Sequence, residues 1–434
     1  MQTFGKVGFY TLGCKLNFSE SSTLARRFRE EGYEVTEGWK DVDICVINSC
    51  SVTEHADKKC RNIVRRIHRE NPRALIVVTG CYAQLKPAEI AAIEGVDLVL
   101  SNNDKSELFD KVVALDGVRK GAFTSCATEN LTRYFPAYSS GDRTRSFLKV
   151  QDGCDYKCAY CTIHYARGAS RNIPIAELVP LAEKIAEGGQ REIVLTGVNI
   201  GDFGKTTGES FADLIGELDK VGGIDRYRIS SIEPNLLTDE VIEFCSKSEK
   251  FQPHFHIPIQ SGSDKILGLM RRRYTTARFA DRIERLKALM PDVFIGIDVI
   301  VGFPGETDDD FNDTYEFLKR MEPAYLHIFP FSERAGTPAV TFPNKVKDSV
   351  KTERAAKLDA LCKELHLGFY RRFVGAEADV LFEGRARNGY MYGYTGNYIK
   401  VRTKYNAALI NEICRVKLLE LDANNCEMLA EIAD

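Results

Sequence analysis

The first hundred residues switch between two spacings of apolar positions. Short apolar runs at 7–12, 43–48, 75–80 and 96–100 are each bounded by polar or glycine residues. Between them apolar residues recur at helical intervals, as at Leu24 and Phe28. This predicts strands alternating with helices over about 19–31, starting at the cap-like Ser19-Glu-Ser-Ser, and 53–70, with Pro72 just beyond. Such alternation implies a parallel sheet wound on both faces. Residues 120–145 show no period and read as a linker. From 146 onward, strand-like runs at 147–151, 192–197, 226–231, 254–259, 293–302 and 325–330 are separated by helical stretches. Six β/α units predict a partial, TIM-like (βα)6 barrel. A helix over 353–369 presents Leu358, Leu361 and Leu365 on one face. Beyond 370 the period shortens to alternating runs broken by glycine, which predicts a small all-β barrel. The expected division is therefore 1–125, a linker at 126–145, then 146–368 and 370–434.

With 434 residues, 44% hydrophobic and 28% charged, the chain reads as globular and long enough to bury a sizeable core. No apolar run approaches the roughly 18 residues of a membrane helix, and the first ten residues lack a signal peptide's charged-then-apolar form. A cytoplasmic protein without membrane contact is expected. The net charge of −3 gives no global drive toward nucleic acid, so any RNA contact must be local. Thirteen cysteines without an export signal suggest thiols or metal ligands in a reducing compartment.

The densest chemistry is Cys154, Cys158 and Cys161, at C-x3-C-x2-C, with Tyr160 before the last. Three thiolates this close converge only if the backbone wraps one object, and soft thiolates select iron–sulfur clusters, zinc or copper(I). Structural zinc wants a fourth ligand, for which His164 is the only local candidate. Three ligands on a four-iron cluster instead leave one iron open. A redox C-x-x-C pair is the third alternative. Cys14, Cys50 and Cys81 each follow the C-terminal end of a predicted strand, where open parallel sheets gather ligands in one crevice. The bland alternative is three small residues at tight turns. Cys45, mid-strand, and Cys60, on a helical face with Ile63, Val64 and Ile67, read as core. Polar and glycine positions at the barrel strand ends include Thr196, Gly197, Ser230, Ser231, Glu233, Gln260, Asp298, Ser332 and Arg334, beside Phe331. His256 reads as a wall residue. Arg143, Arg145 and Lys149, and the run Arg271–Arg273, read as solvated faces or phosphate contacts.

The cysteine spacing resembles the radical S-adenosylmethionine (SAM) superfamily. The longer string from Gln151 to Gly168 resembles its methylthiotransferase branch, which usually carries Pro where this chain has His164. By that resemblance Cys154, Cys158 and Cys161 hold a 4Fe-4S cluster whose open iron binds SAM, with Tyr160 near the adenine. The strings around Cys14, Cys50 and Cys81 are similar to the family's N-terminal motifs, Ser49 replacing the usual Thr, and imply a second 4Fe-4S cluster that carries or donates sulfur. The family pattern further implies SAM contacts from Thr196, Gly197, Ser230, Glu233, Gln260, Asp298 and Phe331. It implies a first SAM that methylates sulfur, and a second cleaved to a deoxyadenosyl radical that takes hydrogen from C2 of an adenine.

Between Arg371 and Lys404 seven basic residues interleave with Tyr390, Tyr392, Tyr394 and Tyr398, a plausible RNA platform. The string 393–401 resembles the RNA-binding TRAM domain. The implied substrate is a tRNA anticodon stem-loop, with an electron donor of flavodoxin or ferredoxin type and a sulfur source as partners. Lys15 in Gly-Cys-Lys-Leu-Asn resembles the branch acting on N6-threonylcarbamoyladenosine. The alternatives are the branches for isopentenyladenosine tRNA or a ribosomal-protein side chain, or a non-catalytic RNA-binding protein with structural metal.

Overall fold

The computed structural model describes residues 5–115, 121–141 and 144–433; residues 1–4, which open the stretch read above for a leader, and Arg143 lie outside the described residues. Six parallel strands form the first sheet: β1 (Lys6–Thr11), β2 (Glu34–Glu37), β3 (Ile44–Ser49), β4 (Leu75–Gly80), β5 (Val96–Val99) and β6 (Ala122–Phe123). Their order is β2-β1-β3-β4-β5-β6. Sequence patterning misses β2 and β6, short edge strands with little apolar character. Every side chain of β3 is buried, because both faces are covered. Cys45 and Ile47 pack with Cys60, Ile63, Val64 and Ile67 of helix α2 (Glu54–Glu70), whereas Ile44 and Val46 pack with Leu24 and Phe28 of helix α1 (Lys15–Glu30).

Helix α1 starts four residues earlier than the serine cap suggested. Cys14 occupies its N-cap, and Ser19 and Ser21 lie inside the helix, their hydroxyls donating to Leu16 O (2.8 Å) and Asn17 O (3.0 Å). Hydroxyls that bond back to the preceding turn do not need the cap position. Thr53 caps α2 as expected, accepting from the Ala56 N–H at 3.2 Å.

The six barrel strands appear where the apolar runs predicted: β7 (Arg145–Lys149), β8 (Glu192–Thr196), β9 (Arg226–Ile229), β10 (His254–His256), β11 (Phe294–Val301) and β12 (Tyr325–Pro330). Two parallel three-stranded sheets, β7-β8-β9 and β10-β11-β12, join through the bridges Tyr227–Phe251 and Ser231–His256 into one curved wall. Helix α1 lies along β7, with Phe18 edge-on to Phe147 at 5.7 Å. Residues 126–141 are more than a linker: Leu131 and Ala137 are buried, and the Tyr134 hydroxyl donates to Lys149 O at 2.7 Å.

Helix α3 (Asp348–Arg371) packs on the barrel through Leu358 and Leu361 and leads into a closed barrel of β13 (Glu377–Arg387), β14 (Tyr390–Thr395), β15 (Lys400–Lys404), β16 (Ile413–Asp422) and β17 (Glu427–Ile432). Its core is continuous with Phe294 and Ala324 of the central barrel. The tyrosine row therefore divides. Buried Arg228, at the foot of the central barrel, donates to Thr395 O (2.8 Å) and Gly396 O (2.6 Å), so the β14–β15 turn plugs that foot. Tyr394 lies under Arg145, and Tyr398 packs on His254 at 4.4 Å. Only Tyr390 and Tyr392 stay with the outer cations Arg402 and Lys400. The expectation of a four-tyrosine RNA platform thus loses Tyr394 and Tyr398, which pack between the two barrels.

Candidate functional site

Cys14, Cys50 and Cys81 follow β1, β3 and β4, three adjacent strands, so sheet order brings them to one edge. The approach is close: a Cβ on Gly13, whose φ is +99°, would stand 2.7 Å from Cys50 Cβ and 2.9 Å from its Sγ. Only glycine fits there. Asn17 pins the edge, its amide donating to Leu12 O (2.8 Å) and Ser49 O (3.0 Å). Cys14 is exposed, whereas Cys50 is buried and its thiol is pushed up to about 12, raised further by the neighbouring Cys81. Cys45 and Cys60 sit fully buried in the core, as expected.

The second triad lies on the loop after β7. The Tyr156 N–H points at Cys154 Sγ (3.4 Å) and the Ile163 N–H at Cys161 Sγ (3.4 Å), both two residues downstream. Such donors stabilise thiolates and cluster sulfurs. Arg272 completes the group. It is not the solvated or phosphate-contacting residue its basic run suggested; it is buried, donates to Cys158 Sγ at 3.0 Å and forms an ion pair with Glu233. Burial raises the Glu233 pKa and Arg272 pulls it back. The flanking Arg273 lies over the Tyr156 ring, its guanidinium carbon 4.1 Å from the centroid.

The strand-end candidates separate into groups. Tyr160, Phe303 and Phe331 form an edge-to-face chain at 6.4 and 5.2 Å, with the Tyr160 hydroxyl 3.5 Å from Arg272. Gln260 adopts φ +70°, unusual outside glycine, and donates its N–H to Asp298 O at 2.9 Å; strain of this kind gathers at functional sites. The Asp298 carboxylate lies 2.7 Å from the His256 ring, which lines the barrel wall as read. Thr196 and Ser230 are buried at the ends of their strands. Gly197 faces protein: a Cβ there would come within 2.9 Å of Gln151 Oε1, which accepts from the Val198 and Asn199 N–H groups.

The two cysteine loops meet. Thr162 Oγ1 donates to Ser51 O at 3.3 Å, and Arg334 reaches from beyond β12 to Asp57 (2.7 Å) and Ser51 (2.8 Å) at the start of α2. Behind them a buried cluster spans both sheets. Arg167 contacts Glu20 and Asp152 at 3.0 Å each and Asn17 Oδ1 at 2.6 Å. Lys149 contacts the same two acids at 3.0 and 2.7 Å, Lys105 pairs with Glu20, and Arg171 is 3.3 Å from Asp152. Burial alone would raise the Glu20 pKa, yet Arg167, Lys105 and Lys149 hold it well below the usual carboxylate range. Sequence reading missed Glu20, Asp152 and Arg167. A usable signal for Glu20 is its position four residues from Leu16 and from Leu24, on the core face of α1. Lys149 and Arg145 are likewise internal, Arg145 pairing with Glu383 at 3.0 Å.

The donor chemistry of each triad suits a four-iron cluster, since three soft thiolates would hold three irons and leave the fourth open. Among the described residues His256, Asp298 and His327 bring three harder ligand atoms within 4.8 Å of one another. Cys45→Ser and Cys60→Ser should leave bound iron unchanged after anaerobic reconstitution, whereas Cys50→Ser should remove about half of it. Iron assay checks this; loss in Cys45→Ser but not in Cys50→Ser would refute the strand-end geometry.

Two family models match the chain: Uncharacterized protein family UPF0004 over residues 6–101 and the Radical SAM superfamily over 148–318. The chain is 41% identical over 427 residues to the threonylcarbamoyladenosine tRNA methylthiotransferase MtaB of Bacillus subtilis, covering 95% of this chain and 94% of that one. It is 38% identical to the protein of the same name from Aquifex aeolicus, covering 92% and 96%. It is 34% identical to a tRNA-2-methylthio-N(6)-dimethylallyladenosine synthase of Syntrophus aciditrophicus, covering 87% and 84%. Among solved structures, the radical S-adenosylmethionine methyltransferase TsrM from Kitasatospora setae, with cobalamin and a [4Fe-4S] cluster bound, matches with a TM-score of 0.57 at 13% identity. The match covers 77% of this chain and 76% of that one, a likeness of fold.

Proposed function

Since this chain belongs to the radical SAM methylthiotransferase family, we propose that it adds a methylthio group to C2 of N6-threonylcarbamoyladenosine beside the anticodon of tRNA. In this reading Cys14, Cys50 and Cys81 hold one 4Fe-4S cluster, and Cys154, Cys158 and Cys161 hold the SAM-binding one. When bound, the clusters would supply the electron and the sulfur, and SAM the hydrogen-abstracting radical. Radical chemistry suits the target, because C2–H is too weakly acidic for a side-chain base at neutral pH. The observation that carries the reading is the convergence of two cysteine triads, from separate sheets, on loops tied by Thr162–Ser51 and Arg334.

The protein's own groups position and enclose. Arg272 orients Glu233 against the Cys158 loop, and the Arg167–Glu20–Asp152 cluster fixes the loops and excludes water. On the C-terminal barrel, Arg387 faces Tyr390, and Tyr390 faces Lys404, across neighbouring strands. No ion-pair partner for Arg387 or Lys404 occurs among the described residues. Two free cations around a ring suit phosphate and base. Five relatives named for threonylcarbamoyladenosine, at 34–41% identity, favour that substrate over isopentenyladenosine. A flavodoxin- or ferredoxin-type donor and an external sulfur source complete the proposal. No described helix is long and apolar enough to cross a membrane.

The test is anaerobic turnover of reconstituted enzyme, SAM and reductant with stem-loops carrying threonylcarbamoyladenosine, isopentenyladenosine or plain adenosine, read by nucleoside mass spectrometry. Methylthio product on the first RNA alone is expected. Product only on the second would move the enzyme to the sister branch, and zinc with no SAM cleavage would leave a binding protein.

A further inference from the structure

Lys15 follows Cys14 directly, and its side chain enters the lumen of the central barrel. There it lines a cavity of about 430 Å³ with His254, His256, His327 and Tyr398. Its side chain is exposed to the cavity. No ion pair or hydrogen bond of the Lys15 ammonium occurs among the described residues. The other charges nearby are matched. Arg145 pairs with Glu383 at 3.0 Å, Arg228 with Glu192 at 2.8 Å, and Lys400 with Glu427 at 2.9 Å. An unpartnered ammonium facing a walled cavity is a ready seat for an anion, and a charge-assisted hydrogen bond there is among the stronger ones. The opposite wall leaves room, since a Cβ on Gly296 would meet nothing closer than 3.9 Å.

We infer that Lys15 binds the carboxylate of the substrate's N6-threonylcarbamoyl group and that the barrel lumen is the pocket for that group; this rests on the substrate reading above. C2 and the N6 substituent flank the same ring nitrogen, N1. A base whose C2 lies between the cysteine loops therefore carries the substituent only a few bonds away. Lys15, on the first of those loops, is placed to meet it. An uncharged isopentenyl group would leave the ammonium unpaired, so Lys15 selects for the acid as well as holding it.

The test compares wild-type enzyme, Lys15→Met and Gly296→Val for binding to fluorescent anticodon stem-loops bearing threonylcarbamoyladenosine or plain adenosine. Anisotropy is measured on holo and cluster-free protein, so that a loss of iron beside Cys14 cannot mimic the effect. Wild type should prefer the modified RNA by about 10- to 100-fold, the range for a hydrogen bond to a charged group. Lys15→Met should bind both RNAs alike, and Gly296→Val, which fills the lumen from the far wall, should lose most of the preference. If wild type discriminates and both variants discriminate as well, the Lys15 inference is wrong and the substrate reading stands. If wild type itself does not discriminate, the substrate reading fails and takes the inference with it.

Discussion

Replacing Cys154, Cys158 and Cys161 together by alanine should cut the iron of the anaerobically reconstituted protein from about eight to about four atoms per chain. SAM cleavage and methylthio transfer should fall to background. The reason is the separation of the two triads: the first stands on the ends of β1, β3 and β4, the second on the loop after β7. Removing one thiol set leaves the other's backbone donors and packing untouched. Alanine also removes the three groups that burial keeps as neutral thiols without metal, Cys154 and Cys161 at about 12. Metal binding must displace those protons, so affinity at this site should rise with pH. A fall from about four irons to none would mean that only the barrel site binds a cluster, and the sulfur-carrying half of the proposed chemistry would lose its seat.

The strands of the central barrel and the cysteine positions were legible because their signals are local. Five or more apolar residues between turn signals mark a buried strand, and a cysteine at its C-terminal end inherits the place where parallel sheets collect ligands. What was not legible depends on contacts distant in sequence. Arg272 looks like one member of a solvated basic run, and only the fold turns it inward onto Cys158 and Glu233. Tyr394 and Tyr398 look like their neighbours Tyr390 and Tyr392, but Arg228, 166 positions before Tyr394, draws their turn into the barrel foot. Ser19 looks like a helix cap because Cys14, the actual N-cap residue, is a poor cap by type; its position is set by the sheet edge.

Arg167→Met should be the most destabilising substitution that touches no cysteine. Among the described residues, four buried cations (Lys105, Lys149, Arg167 and Arg171) surround two buried carboxylates, Glu20 and Asp152. Arg167 and Lys149 each touch both acids, but Arg167 also holds Asn17, which anchors the first cysteine edge. Removing one partner of a buried pair costs about 3–5 kcal/mol, because the remaining charge stays buried. Arg167 also favours the ionised form of Cys14 and Cys50, so the variant should retain less iron at that triad. The pH dependence has a definite sign. Burial raises both carboxylates, but the surrounding cations prevail and depress both folded pKa values, Glu20 far below the usual range. Their stabilisation is therefore present above an unfolded pKa of about 4 and lost as pH falls through the folded values. Without Arg167 those folded values rise, so the acid limb of the stability curve should move to higher pH. Urea midpoints of cluster-free protein from about pH 7 down to about pH 3 measure this, since midpoint shifts at constant slope report stability. Coincident acid limbs for wild type and variant would mean that solvent, not Arg167, compensates the two acids.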